Sequence, residues 1–297
     1  KAIKYLTLSA NNNYVNAQLQ LADYYMSNPS LQNNVGNAIR FYTMAANNGD
    51  IIAQNSLGNI YNEGKHVPKD INKAIYFFTL AANKDDEDSQ YKLGMINLTY
   101  LPPIGDINKS IHYLTLSAEK NNTMAQVYLA KIYNGPSNSP LDIEKAIHFY
   151  TMAANNGSSF SQYVLGGIYL SGKNVPRDID KAIHYYTNSA NQNHHSAQVK
   201  LGEIYLNSEF VQRDIDKAIR LFKLAANQND SCAQFFLGEI YLKEKKYFDV
   251  SKAIYYFNLA ANQNLVFAQY VLGCIYKDGL VVPRDIKKAI FYHTLAA

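Results

Sequence analysis

The sequence predicts an all-α fold, a superhelical solenoid built from one two-helix unit repeated along the chain. Two observations carry that prediction. A Lys-Ala-Ile triplet, or a one-residue variant of it, begins at Lys1, Asn37, Lys73, Lys109, Lys145, Lys181, Lys217, Lys252 and Lys288, a step of 36 residues throughout except for 35 between Lys217 and Lys252. Ala or Ser followed by Gln recurs at Ala17, Ala53, Ser89, Ala125, Ser161, Ala197, Ala233 and Ala268, each 15 residues after the small residue of its triplet. A fixed period of this size is the signature of stacked supersecondary units. Spacing inside the unit is constant, so the one missing residue belongs to the connecting loop between Tyr241 and Lys252. The prediction is a single array over residues 1–297: eight repeats beginning near 1, 37, 73, 109, 145, 181, 217 and 252, then a ninth first helix at 286–297.

The first helix of each unit opens at an aspartate (Asp70, Asp106, Asp142, Asp178, Asp214, Asp249, Asp285), whose short carboxylate accepts hydrogen bonds from the unpaired N–H groups of the first turn. Pro68, Pro176 and Pro283 stand two residues earlier, where the chain must be extended. With the triplet's small residue as position 0, positions 0, +3, +4, +7 and +8 hold Ala or Ser, an aromatic or Leu, a second aromatic or Leu, Ala or Ser, and Ala. At about 100° per residue these fall on one side of a helix, which is therefore the core side. Asn-Asn-Gly at 47–49 and 155–157 supplies residues that tolerate the left-handed conformation ending a helix. In the second helix, the small residue of Ala-Gln is followed by Leu at +4, Gly or Ala at +5, Ile at +7 and Tyr at +8, as in Ala233, Leu237, Gly238, Ile240 and Tyr241. A glycine inside a helix costs roughly 1 kcal/mol against alanine. Its recurrence predicts a close approach by the neighbouring helix.

These motifs, K-A-x-x-aromatic-x-x-x-A-A-x-x-G, then A-Q-x-x-L-G-x-x-Y and a loop G-x-x-V-P-x-D as at 64–70, 172–178 and 279–285, resemble the Sel-1-like repeat, a relative of the tetratricopeptide repeat. The resemblance runs the length of the chain and implies a right-handed α/α solenoid acting in protein–protein interaction. Two departures are visible. The family's usual Trp at position +3 of the first helix is replaced by Tyr5, Phe41, Phe77, Tyr113, Phe149, Tyr185, Leu221, Tyr256 and Tyr292, which keep ring packing in all but one case. Paired cysteines bridging the two helices of a unit, found in some members, are excluded, because Cys232 and Cys274 lie in different repeats.

No catalytic constellation stands out: the chain has no phosphate-binding glycine loop, Cys-x-x-Cys pair, His-Glu-x-x-His or Gly-x-Ser-x-Gly. No cofactor and no enzymatic activity are implied. His112, His148 and His184 occupy position +2 of three successive first helices. Helices pack about 8–10 Å apart, whereas ligands of one metal lie about 2 Å from it, so three in a row read as surface histidines. His194-His195 reads as part of a turn.

The face left over by the core is centred on +2. There the chain carries Lys4, Arg40, Tyr76, His112, His148, His184, Arg220, Tyr255 and Phe291, basic and aromatic without a single acid. Position +5 is threonine in seven of nine first helices, and +6 is Leu or Met in eight, either shielded by the next first helix or exposed. In solenoids that the chain resembles, first helices line the concave surface. On that resemblance Arg40, Tyr76, His112, His148, His184, Arg220 and Tyr255 form a partner-binding groove for a peptide or amphipathic helix with acidic residues.

A net charge of +4 is mild, and eight of the 28 basic residues are the lysines of the triplet, spread along the array. No basic cluster interleaved with aromatics points to nucleic acid, and no apolar run reaches the length of a membrane span. Two cysteines form no disulfide framework, which favours a reducing compartment such as the cytoplasm without excluding a secretory route. The sequence begins and ends inside first helices, as expected of a piece of a longer protein. The function expected is a protein-interaction scaffold or adaptor. The alternative is a regulatory or substrate-recruiting segment of a larger signalling or ubiquitin-ligase protein whose catalytic domain lies elsewhere.

Overall fold

A computed structural model describes residues 2–27, 33–135, 140–173, 175–207, 209 and 211–297, with backbone alone for 140 and 141. Lys1, where the first triplet begins, lies outside the described residues. Among the described residues there are 17 helices and no strand. The chain divides into two compact units, residues 1–152 and 153–297. The first holds α1 (Ala2–Asn11), α2 (Val15–Met26), α3 (Asn34–Asn47), α4 (Ile51–Glu63), α5 (Ile71–Ala82), α6 (Glu87–Thr99), α7 (Ile107–Glu119) and α8 (Thr123–Tyr133), with α9 (Pro140–Asn155) running across the division. The second holds α10 (Ser159–Ser171), α11 (Ile179–Asn191), α12 (His195–Asn207), α13 (Ile215–Asn227), α14 (Ser231–Lys243), α15 (Val250–Asn262), α16 (Val266–Asp278) and α17 (Ile286–Leu295). Odd-numbered helices are the first helices of the repeats and even-numbered ones the second. The chain passes from α14 to α15 through 244–249, one residue fewer than 208–214 between α12 and α13, so the deletion is in the loop.

The aspartate caps form as the spacing predicts. Asp70, Asp178, Asp214, Asp249 and Asp285 each accept from the backbone N–H three residues on, at 2.9–3.0 Å, and Asp106 accepts from Asn108 and Lys109. Asp142 departs from the series: α9 begins two residues earlier, at Pro140, which places this carboxylate within the first turn. Proline at the first helical position has no N–H to leave unpaired and a φ already suited to the helix.

On the first helices, positions 0, +4, +7 and +8 are the buried rows, as in Ala74, Phe78, Ala81 and Ala82 or Ala218, Phe222 and Ala225. Position +3, expected on the core side, is half-buried in all but Phe41 of the inner repeats. It belongs to a seam instead. Its ring stacks on the +8 tyrosine of the preceding second helix, with centroids 6.0 Å apart for Tyr25–Phe41 and Tyr61–Phe77 and 5.8–5.9 Å for Tyr169–Tyr185, Tyr241–Tyr256 and Tyr276–Tyr292.

The lysine of the triplet closes the same seam. Lys73, Lys181, Lys217, Lys252 and Lys288 place Nζ 4.9–5.4 Å from the centroid of the +8 tyrosine of the preceding second helix. Each also lies 2.9–3.8 Å from its own capping aspartate. That aspartate's backbone N–H donates to the carbonyl of the same tyrosine, from Asp70 to Tyr61 at 2.9 Å and from Asp214 to Tyr205 at 2.8 Å. Tyrosine, aspartate and lysine thus make a closed loop at the junction.

Glycine at +5 of the second helix lets the next first helix approach. A Cβ on Gly58 would lie 2.5 Å from the Phe78 ring, and one on Gly238 would lie 2.7 Å from Phe257, so no larger residue fits without displacing a core ring. Accordingly α2, α4, α6, α12, α14 and α16 each pack more extensively on the first helix that follows than on the one before. First helices end as the Asn-Asn-Gly runs predict: Gly49 and Gly157 take φ of 85° and 87°, and Asp85, Asn121, Asn193, Asn229 and Asn264 take the same left-handed place elsewhere.

One buried row was not legible as such. The glutamine of Ala-Gln lies inside the core, where its Nε2 donates to the carbonyl of the +8 alanine of the preceding helix: Gln18 to Ala10 at 3.0 Å, Gln54 to Ala46 at 3.1 Å, Gln198 to Ala190 at 3.2 Å and Gln269 to Ala261 at 3.1 Å. It thereby gives a second donor to a helix-end carbonyl that already accepts from the backbone N–H three residues on, as Ala46 does from Gly49 and Ala190 from Asn193.

Candidate functional site

Position +2 of the first helices is an outward row that recurs as rings and cations. In the first unit Arg40, Tyr76, His112 and His148 are all exposed, and in the second His184, Arg220 and Tyr255 are. Tyr76 and Tyr255 keep 59% and 58% of their surface, large values for rings of that size. Each side chain is steadied by its own helix. Tyr76, His112 and His148 lie 5.1–5.2 Å, ring to ring, from the +3 residues Phe77, Tyr113 and Phe149, and His184 and Tyr255 sit the same way on Tyr185 and Tyr256. The Arg40 guanidinium lies 5.4 Å over Phe41, and Arg220 Nε donates to the Asp216 carbonyl at 3.3 Å.

The rows beside it are partly spent on the fold. Threonine at +5 donates to the carbonyl one turn back, from Thr43 to Ile39 and from Thr115 to Ile111, both at 2.7 Å. Asn258 repeats that bond to Ile254 at 2.8 Å. Of the +6 apolar column, Met44, Leu80, Leu116, Met152 and Leu259 are half-buried, while Leu8, Leu224 and Leu295 are exposed. Asn188 replaces leucine in α11, and its amide Nδ2 lies 3.1 Å from His184 Nε2.

The histidine row gathers no metal ligands: among the described residues no three of His, Cys, Asp and Glu come together to hold an ion. His194 lies immediately before α12, in the place that Asp50, Asp86, Asn122, Ser158 and Asp230 hold as caps of other second helices. Its Nδ1 accepts from the Ala197 N–H at 3.3 Å, and its ring stacks on Tyr163 at 4.9 Å. Burial, then the neighbouring His195, hold its pKa below the usual 6.5, as suits a ring that must stay neutral to accept. His195 in turn lies 2.7 Å from Asp230.

Asp70 and Asp214 are held below the usual carboxylate range by the N–H groups and ammonium they face, those of Lys73 and Lys217. They are helix caps rather than acid–base pairs. A cleft of about 670 Å³ opens at the loop before α13, between Tyr205, Arg213, Asp216 and Lys246. Its charges are matched, Lys246 to Asp216 at 2.9 Å and Arg213 to Glu244. Nothing in the sequence reading pointed to it. No helix among the described residues is long and apolar enough to cross a membrane.

Comparison with known proteins agrees with the repeat architecture. The family model for the Sel1 repeat matches residues 15–50, 51–86, 87–122, 123–158, 159–194, 195–230, 233–265 and 266–297. It thus takes each second helix together with the first helix that follows, the pair that packs most extensively here. Among solved structures the chain is similar to a protective antigen present in uropathogenic Escherichia coli strains that displays an SLR fold, at 27% identity and a TM-score of 0.85 over 99% of this chain and 63% of that one. It is also similar to a Sel1 repeat protein from Oxalobacter formigenes, at 25% identity and a TM-score of 0.81 over 100% of this chain and 86% of that one. The chain therefore spans less than two thirds of the antigen's length. Among curated proteins, no sequence matches it.

Proposed function

The chain belongs to the Sel1 repeat family, with the all-α solenoid fold of that family, and from this premise we propose that it is a protein-interaction scaffold or adaptor that binds its partner along the +2 row of its first helices. Sel1 repeat proteins are generally non-catalytic, and we read this chain the same way. One observation supports the choice of surface: the +2 residues are exposed rings and cations in repeat after repeat, while the residues around them are used in holding the helices together. Aromatic and arginine side chains of this kind are the usual energetic centres of protein interfaces. In this reading the repeats operate as one array, and the partner is a peptide or an amphipathic helix rather than a nucleic acid.

The test uses the intact chain as bait beside a variant carrying Tyr76→Glu, His112→Glu, His148→Glu and His184→Glu. The reading predicts proteins that the native chain captures and the variant loses, with helical content unchanged. Identical captures would move the binding surface to the second helices or the loops. A partner that is itself the substrate of a catalytic domain elsewhere in a longer protein would favour the recruiting-segment reading.

A further inference from the structure

The junction between α6 and α7 departs from those that join tyrosine, aspartate and lysine. At a regular junction the triplet lysine meets a ring and a carboxylate together, as Lys73 does with Tyr61 and Asp70. In α6 the +8 place belongs to Asn97, which is buried and turns its amide back to the Leu93 carbonyl at 2.8 Å. The Asp106 carboxylate accepts from the N–H groups of Asn108 and Lys109. Among the described residues, neither a ring nor a carboxylate meets the exposed Lys109 ammonium. Tyr113 shows the same vacancy from the other side. Its equivalents Phe41 and Phe77 stack on the +8 tyrosine, whereas its own ring neighbour among the described residues is His112 alone.

A cleft of about 600 Å³ opens at this junction, with Asn97 and Lys109 on its border. Its walls are largely apolar: Leu98 at the end of α6, Pro102 and Pro103 in the loop, and Ile107 at the start of α7. Leu101 extends the apolar rim and is 84% exposed, where the loops before α5 and α11 carry Lys65 and Lys173. Tyr100, also on the border, has Lys69 Nζ 5.8 Å over its ring. The charges around the cleft are thus Asp106, engaged by backbone N–H groups, Lys69, placed over Tyr100, and Lys109, which faces outward unmatched.

The regular junctions show what suits that ammonium: a ring centroid 4.9–5.4 Å away and a carboxylate oxygen at 2.9–3.8 Å. The electron-rich face of a ring attracts a cation, and proline and aliphatic walls cover its edges. Successive side chains of an extended segment point to opposite sides, so residues two apart share a side. Resting on the reading that the partner is a protein, but not on the +2 row, we propose that this cleft receives an aromatic side chain of an extended partner segment. An aspartate or glutamate two residues from that ring pairs with Lys109.

The experiment follows the Leu and Ile methyl groups of the full chain by NMR while the blocked peptide Gly-Ser-Asp-Ser-Tyr-Ser-Gly is added. Shifts should concentrate on Leu98, Leu101 and Ile107. Replacing the peptide's Tyr by Leu, or its Asp by Asn, should weaken binding about threefold each. Asn97→Tyr gives Lys109 the ring that other junctions hold and should abolish these shifts. Lys109→Gln has no contact to lose within the fold, so its melting temperature should be unchanged while the peptide binds about tenfold more weakly. Shifts confined to other residues, unaltered binding to the Lys109→Gln chain, or equal affinity for the leucine peptide would each overturn the site. None of these would touch the scaffold reading, which partner capture by the +2 variant tests separately. Binding of phenylacetate as tight as that of the peptide would replace the partner segment with a small aromatic acid.

Discussion

The same buried glutamine is served in two ways: Gln18 in the first unit receives the Asn48 amide on Oε1 at 3.2 Å, an arrangement that the second unit repeats with glutamine donors and that two repeats of the first unit replace with lysine. In residues 153–297, Gln162, Gln198 and Gln234 each receive on Oε1 the amide of a glutamine that ends the next first helix, Gln192, Gln228 and Gln263, at 2.8, 3.0 and 2.8 Å. In residues 1–152, lysine stands in that place after α5 and α7, and Lys84 and Lys120 carry their ammonium groups out to backbone carbonyls. Gln54 and Gln90, 3% and 1% exposed, are left with an Oε1 that has no partner among the described residues. A lysine can only donate, from a longer stem than glutamine's, and a charge prefers the edge to the core. Repeat geometry is therefore shared between the units, whereas polar pairing inside it is settled one residue at a time.

Breaking the paired row should have the largest effect. Gln198→Leu removes the second donor to the Ala190 carbonyl, which keeps the Asn193 N–H, and the Oε1 acceptor of the Gln228 amide, and should lower stability by about 1–3 kcal/mol. Gln54→Leu removes only the second donor to the Ala46 carbonyl, which keeps the Gly49 N–H, and discards an acceptor already unpaired, so its loss should be about half as large. Urea midpoints with amide exchange in the affected repeats measure both, and equal losses would remove the distinction between the two arrangements. Restoring the row should act next. Lys84→Gln gives Gln54 Oε1 a donor and should raise stability by about 1 kcal/mol; an unchanged midpoint would mean that the acceptor is not costly.

The caps of the second helices give a smaller, pH-dependent contrast. His194 has its folded pKa below the ordinary 6.5, so the unfolded chain takes up the proton first as pH falls. This residue's contribution is fully present above pH 6.5 and declines as pH drops from 6.5 through the folded value. The α12 repeat should loosen between neutral pH and pH 5 by amide exchange, and His194→Asn should abolish that part of the pH dependence. Asp86 in the first unit caps α6 as a carboxylate; against the opposing effect of burial, the Ser89 and Asn55 hydrogen bonds hold its pKa below its ordinary value, so it stays charged across this window. The smallest change is expected at the +2 row: the four-site glutamate variant should keep its melting temperature within about 0.5 kcal/mol of stability. A large drop would show that these side chains hold the fold.

Much of this fold can be read from the chain because its strongest signals are local. Asp70 three residues before the N–H it caps, and Gly58 opposite Phe78, act through fixed offsets that any repeat displays. Gln54 and Gln198 were visible only as markers, because their partners are carbonyls and amides that approach only once helices have stacked. The caps of the second helices were overlooked for another reason: Asp50, Asn122, Ser158 and His194 do the same work with different letters. Pro140 shows the reverse case, a residue that starts a helix where a strict reading of the period would wait for Asp142. At the candidate site, the exposure of position +2 followed from helical phase alone. Its companions at +3 did not, since the Tyr61–Phe77 stack places at a seam what helical phase assigns to the interior.

The tyrosine–aspartate–lysine junction has a mechanical side. It ties α5, α11, α13, α15 and α17 each to the second helix before it by three unlike attachments at one point, so tension along the chain must undo them together before any residue of that repeat pays out. One junction lacks the ring: between α6 and α7 the carbonyl that receives the Asp106 N–H belongs to Asn97, and Lys109 has no tyrosine to cover. Under load that rung is weaker than the one between α4 and α5, which has tyrosine, aspartate and lysine together, and its rupture releases a repeat's length of roughly 120 Å of chain.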